Sequence, residues 1–327
     1  MNRSRIDWTE YTWNPVTGCY HTCPYCYARK QSARFAGDVR LNLADLRCEM
    51  YQGVEGLYVL NEPYLTYNNR SINYPFGFAP TLHEYRLDWP GKVKNSANIF
   101  VGSMADLFGE WVPDEWIQKV FEACDRYPQH NYMFLTKNPP RYLRLTLDGI
   151  LPDLDNMWYG ASVTSQEDME RVSTLAALES GHRFLSIEPL FGGLELLDLL
   201  SSGKGGIDWV ILGAETGNRK GKIIPEKEWI QEVARQCRVA GVPLFMKESL
   251  RELISEFIQE YPVGLLRKEL SPKLKKKLWG NCNFCGTEKP KKEMIALLYR
   301  KSRGKSAKQL GYACPECFES LTEKLMF

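Results

Sequence analysis

The sequence has little of what would carry a protein into or across a membrane. Nowhere do about 18 apolar residues run together, the length a membrane-spanning helix requires. The stretch from Met1 to Trp13 mixes charge with aromatics and lacks the apolar core of an export signal. Net charge is nearly absent too, at +2 over 327 residues. A 44% share of hydrophobic residues excludes a disordered chain. The expectation is a cytoplasmic protein with no membrane partner. Its ten cysteines then point to metal ligation in a reducing compartment rather than to a disulfide framework.

Seven of those cysteines fall into two sets with ligand spacing, and Cys48, Cys124 and Cys237 are left as small buried packing residues. The first set is Cys19, Cys23 and Cys26, in Gly18-Cys-Tyr-His-Thr-Cys-Pro-Tyr-Cys-Tyr27. Three thiolates on one short loop can wrap a cube and present their sulfurs to one side, which suits an iron–sulfur cluster with one iron left open. Zinc would ask for a second pair of ligands close by. The nearest other cysteine is the solitary Cys48, and His21 inside the loop has no evident partner.

The second set is Cys282-Asn-Phe-Cys285 and Cys314-Pro-Glu-Cys317, two knuckles separated by 28 residues. Four thiolates in two such pairs suit one tetrahedral zinc; a second cluster acting as an electron relay is the alternative. A segment of about 60 residues has too small a core to stand unaided, and a metal supplies what is missing. This part of the chain is also basic. From Arg267 to Lys308 there are fourteen Lys or Arg against three Glu, a balance of +11, while the remainder carries 28 basic and 37 acidic residues, or −9. The runs Lys273-Leu-Lys-Lys-Lys277 and Arg300 to Lys308 suit salt-sensitive nucleic-acid binding, with Tyr299 and Tyr312 available for stacking; a solvated linker and hairpin is the plainer reading.

Between the two cysteine sets one pattern repeats: a short apolar run, a polar turn, an amphipathic stretch. The runs are Tyr11–Thr17, Asn98–Ser103, Tyr132–Thr136, Met157–Val163, Arg183–Ile187, Asp208–Gly213 and Val242–Met246, seven candidate strands. The intervening helices start at Pro113, Ser165 and Pro225, each followed by acidic residues in its first turn. Near-continuous apolar strands separated by helices predict a parallel sheet. The fold class is therefore α/β, a partial or complete parallel β/α (TIM-like) barrel with a small C-terminal zinc-ribbon-like module, and an open doubly wound sheet is the alternative. Domains are expected at 1–265 and 266–327, with an irregular insertion at about 47–93 that is a lid or a surface loop. Each strand ends in polar residues: Ser103 and Asp106, Thr136 and Lys137, Ser162 and Thr164, Glu188, Glu215 and Thr216, Lys247 and Glu248. Together they predict a polar cavity at one mouth of the barrel.

The cysteine loop resembles the signature of the radical S-adenosylmethionine superfamily, in which three cysteines spaced three and two apart hold a [4Fe–4S] cluster and an aromatic residue, here Tyr25, precedes the last. The stretches Thr12–Cys19, Gly102–Phe108, Phe134–Pro139, Arg183–Leu190 and Trp209–Gly217 are similar to a phage-associated family of this type. The resemblance covers most of residues 6–250 and implies a cluster on Cys19, Cys23 and Cys26 whose open iron chelates S-adenosylmethionine, reductive cleavage to a 5′-deoxyadenosyl radical, and an electron donor such as a flavodoxin or ferredoxin. Many members carry Gly-Gly-Glu after the second strand to bind the methionyl amino group. Here that place reads Gly102-Ser-Met-Ala-Asp106, which makes Ser103 or Asp106 the candidate acceptors. Glu188 or Glu215 falls to ribose or substrate hydroxyls. No residue is assigned a catalytic role. The expected function is a radical S-adenosylmethionine enzyme acting, through its basic module, on nucleic acid; a non-enzymatic, metal-stabilised nucleic-acid-binding protein is the alternative.

Overall fold

A computed structural model of the chain describes residues 2–45, 49–66, 68–200, 205–216, 223–265, 279–299 and 308–325. Cys48, the Lys273–Lys277 run and residues 300–307 lie outside them. Backbone contacts divide the chain into two units, Met1–Lys268 and Glu269–Phe327.

The first unit begins with β1 (Asn2–Arg3), β2 (Tyr11–Trp13), β3 (Val16–Thr17), α1 (Tyr27–Arg34) and α2 (Val39–Leu43), followed by β4 (Glu49–Met50), β5 (Tyr58–Leu60) and β6 (Thr81–His83). The main series then runs β7 (Asn98–Val101), α3 (Asp114–Arg126), β8 (Asn131–Thr136), α4 (Pro140–Leu147), β9 (Met157–Val163), α5 (Met169–Ala176), β10 (His182–Ile187), β11 (Trp209–Leu212), α6 (Lys227–Ala240) and β12 (Leu244–Met246). β2 and β7 to β12 pair in strict chain order and all in parallel, with β1 antiparallel on the outer edge of β2. Seven parallel strands so ordered form a curled half-barrel, so the barrel is partial. A doubly wound sheet would reverse its strand order at a switch point, and this one does not.

Alternation along the strands divides the side chains between two cores. One face meets the helices: Ile99 and Val101, Tyr132 and Phe134, Tyr159 and Val163, Leu185 and Ile187, all buried. α3 answers with Trp116, Ile117, Val120, Phe121 and Cys124 on one stripe, and the acids Asp114 and Glu115 stand at its positive end. The concave face instead gathers Phe100, Met133, Trp158, Phe184, Trp209 and Phe245, packed with Trp8 from the chain's start. Gly160 lies against this layer because a Cβ there would meet the Phe184 ring at 2.4 Å.

Two expectations are corrected. The run Tyr11–Thr17 is not one strand: β2 joins the half-barrel, while β3 leaves it to pair with β6. Pro15 stands between them and has no N–H for a ladder. Nor is the expected insertion irregular throughout: among its described residues it carries three short strands. β4, β5 and β6 join β3 in a second sheet, over a satellite core where Tyr58 stacks on Phe76 at 4.1 Å. Its strands are two or three residues long, too short for any period to show in sequence.

In the second unit β13 (Trp279–Asn281) pairs with β14 (Glu288–Pro290), and β15 (Ile295–Tyr299) pairs with β16 (Lys308–Ala313), which leads into α7 (Pro315–Leu325). Among the described residues no helix is long and apolar enough to cross a membrane.

Phe184→Ala opens the centre of the concave aromatic layer and is expected to destabilise the first unit by about 3–5 kcal/mol in chemical denaturation. A loss under about 1 kcal/mol would contradict the packing described.

Candidate active site

The cysteine loop is fixed at its entrance by a glycine. Gly18 has φ +90°, and a Cβ there would stand 2.2 Å from the Ala79 carbonyl oxygen. Its N–H donates to Met104 O at 2.9 Å, and the Cys19 N–H donates to Phe78 O at 3.1 Å. The loop thus starts wedged between the exit of β7 and the segment leading into β6. At its far end Cys26 caps α1, its Sγ accepting from Arg29 N at 3.3 Å. From the first turn of that helix the Arg29 guanidinium reaches back to Cys19 O (3.1 Å) and His21 O (2.8 Å), with Phe78 beneath it.

A cavity of about 410 Å³ opens at the carboxyl ends of the strands, and Cys19, Cys23 and Cys26 line it together with all five residues picked out by sequence, Tyr25, Ser103, Asp106, Glu188 and Glu215. Thr136, Lys137, Ser162, Thr216 and Lys247 line it as well. Thr164 and Glu248 do not. The first turns away to donate to Asp168 at 2.8 Å, and the second pairs with Arg251. Strand parity explains the lining. Trp158 and Ser162 share one face of β9, and Phe184 and Ser186 one face of β10, with Glu188 next on that side. An aromatic floor therefore lies below a polar rim. Ser186, Trp8, Phe100 and the N-terminal Arg5 and Asp7 also line the cavity. Sequence reasoning missed them, although the alternation Phe184, Ser186, Glu188 carried the signal for Ser186.

Several of the charged groups in the cavity are held by partners from this chain. Lys247 forms an ion pair with Glu188. Lys137 Nζ donates to Tyr25 Oη at 2.7 Å. Asp106 is 5% exposed and engages four donors from this chain: Thr136 Oγ1 (2.7 Å) and Phe108 N (3.1 Å) at Oδ1, Lys137 N (2.9 Å) and His21 Nε2 (2.9 Å) at Oδ2. A carboxylate offers about four lone-pair sites, so these donors occupy the Asp106 carboxylate as it stands in the cavity. Ser103 is held by Asn14, which also accepts from Met104 N. Burial, and after it the nearby charge of Asp106, push the Cys19 thiol up to about 12. Replacing that proton by a metal removes the cost of the buried thiolate.

In the second unit the sulfurs of Cys282, Cys285, Cys314 and Cys317 all lie within 4.8 Å of one another, and Cys285 and Cys314 are 3.8 Å apart. Sulfurs at about 2.3 Å from a tetrahedral ion stand about 3.8 Å apart, so the quartet fits one metal ion. Among the described residues no other group of three or more candidate metal ligands is brought together in this way.

A family model described as "Protein of unknown function (DUF5131)" matches residues 3–260. No curated protein matches the chain. Solved structures of spore photoproduct lyase variants are similar at low identity. One has 14% identity and a TM-score of 0.35, over 99% of this chain and 75% of its own. A second, with dinucleoside spore photoproduct, has 13% identity and 0.37, over 99% and 73%. A third, with bound AdoMet and dinucleoside spore photoproduct, has 12% and 0.36, over 98% and 74%.

Gly18→Ala cannot be accommodated against the Ala79 carbonyl. It is expected to expose Cys19, now buried, and to accelerate its alkylation by iodoacetamide by about tenfold or more, since a strain of about 1–3 kcal/mol is placed on the loop. An unchanged alkylation rate would contradict this account of the loop.

Proposed function

The chain belongs to the DUF5131 family, and we propose that it is a radical S-adenosylmethionine enzyme with a [4Fe–4S] cluster on Cys19, Cys23 and Cys26 and a structural zinc on Cys282, Cys285, Cys314 and Cys317. The observation that carries the reading is the presence of three cysteine sulfurs in one cavity with the polar ends of seven parallel strands. When bound, the cluster and S-adenosylmethionine supply one-electron cleavage of the sulfonium and removal of a substrate hydrogen atom.

The chain's own residues hold and shield. Ser103 offers an oxygen beside the cysteine loop, and Tyr25 a ring within it. Glu215 is a buried acceptor in the same cavity, suited to hydroxyls of a ribose or substrate. Glu188 and Lys247 neutralise one another and present both a donor and an acceptor. Trp8, Phe100 and Leu135 form an apolar floor that keeps water from the reacting groups. The lining carries Arg5, Lys137 and Lys247 against Asp7, Asp106, Glu188 and Glu215, so it does not itself attract phosphate. Nucleic acid, the proposed substrate class, would be gathered by the basic C-terminal segment instead. A small electron-transfer protein such as a flavodoxin or ferredoxin is the proposed reductant partner.

Anaerobic reconstitution, reduction and addition of S-adenosylmethionine are expected to yield 5′-deoxyadenosine, and Cys23→Ala to yield none. A well-formed cluster that leaves S-adenosylmethionine intact would favour a binding or electron-transfer protein. The full chain is also expected to retain RNA or DNA on a filter at low salt and to release it steeply as salt rises. No retention at low salt would remove nucleic acid from the proposal.

A further inference from the structure

The two segments between the three cysteines are each tied to the end of one strand. His21, between Cys19 and Cys23, donates from Nε2 to Asp106 Oδ2 at 2.9 Å, and its ring meets Trp111 edge-on at 4.9 Å. Asp106 in turn is held by Thr136 Oγ1 and by the Lys137 N–H, both at the end of β8. Tyr25, between Cys23 and Cys26, accepts from Lys137 Nζ at 2.7 Å, and its ring meets Phe191 edge-on at 5.6 Å. The residue pair Thr136–Lys137 therefore grips the loop by two arms, one through a carboxylate and an imidazole, the other through an ammonium and a phenol.

We propose that Asp106 and Lys137 are positioning residues: acting through His21 and Tyr25, they set the spacing of the cysteine sulfurs and so the environment of the cluster, and neither serves as a ligand to the cofactor. The inference rests on the reading of Cys19, Cys23 and Cys26 as cluster ligands. Its physical basis is that Arg29 and the Cys26 N–H hold backbone carbonyls of the loop from within its own helix and turn, whereas a side-chain bond in each inter-cysteine segment ties the loop to the end of β8. Both arms are charge-assisted, the kind of hydrogen bond that holds geometry best. Asp106 is also buried and already satisfied by backbone and hydroxyl donors, as a brace must be.

The test compares reconstituted full-length wild type with Tyr25→Phe, Lys137→Met and the double variant, and with His21→Ala, Asp106→Ala and their double variant. Electron paramagnetic resonance of the reduced cluster and the rate at which a chelator strips its iron are read in each. Tyr25→Phe, Lys137→Met and His21→Ala are each expected to shift the resonance and to speed iron loss by roughly threefold to tenfold, the worth of one hydrogen bond, and Asp106→Ala, which deprives four donors of their acceptor, by more. In the Tyr25–Lys137 arm the double variant should be no worse than the more severe single, since both break one bond; in the other arm the double should be no worse than Asp106→Ala, which breaks the His21 bond and three more. Tyr25→Phe and Lys137→Met touch partly exposed groups, so they report even where Asp106→Ala fails to fold. Wild-type resonance and iron loss in both, or effects that simply add, would overturn the proposal. A wild-type chain that takes up no iron would remove the underlying reading, and the inference with it.

Discussion

The site depends on the alternation of side chains along parallel strands. Because every second residue of β7 to β12 faces the concave side, one layer of that face can be aromatic and the next polar without any change in the backbone. Phe100, Met133, Trp158, Phe184, Trp209 and Phe245 close the half-barrel from within. One or two steps further along the same face come Lys137, Ser162, Ser186, Glu188 and Lys247. A slip of one residue in any strand would send a charge into the helical core and a valine or leucine into the cavity. The hydrophobic packing against α3 to α6 therefore fixes the lining as firmly as it fixes the fold.

Burial then governs the electrostatics. A cavity floored by aromatic rings is a poor medium for unpaired charge, and the chain answers by pairing its ions: Glu188 with Lys247, Asp106 with His21 and three neutral donors. Cys19 is the exception. Its thiol is pushed up by burial and by Asp106, so its thiolate is costly to form unless a partner charge accompanies it. The C-terminal four cysteines solve a different problem. Among the described residues their segment has a core of Met294 and a few neighbours beside the cysteines, and one ion held by all four would supply cohesion between its strand pairs.

Much of this was legible in the sequence, for identifiable reasons. Apolar runs of five to seven residues with polar exits have few other uses than buried parallel strands, and Met157–Val163 is found at its expected limits. The strand-end residues gathered around one cavity because parity and exit direction are local properties. What escaped was long-range. His21 looked partnerless because Asp106 lies 85 residues away, and the link from Tyr25 to Lys137 spans 112. The departure of β3 from the half-barrel turns on the single missing N–H of Pro15, and the small sheet of β3 to β6 is built from strands too short to show a pattern.

The central claim is that the N-terminal and C-terminal cysteines bind different metals for different purposes. Metal and sulfide content, with the visible spectrum, should be measured after anaerobic reconstitution for wild type and for a chain carrying Cys19→Ala, Cys23→Ala and Cys26→Ala together. The account predicts about four irons with matching sulfide and a brown colour in wild type, all lost in the triple variant while one zinc per chain remains. Iron and colour that persist in the triple variant would contradict it.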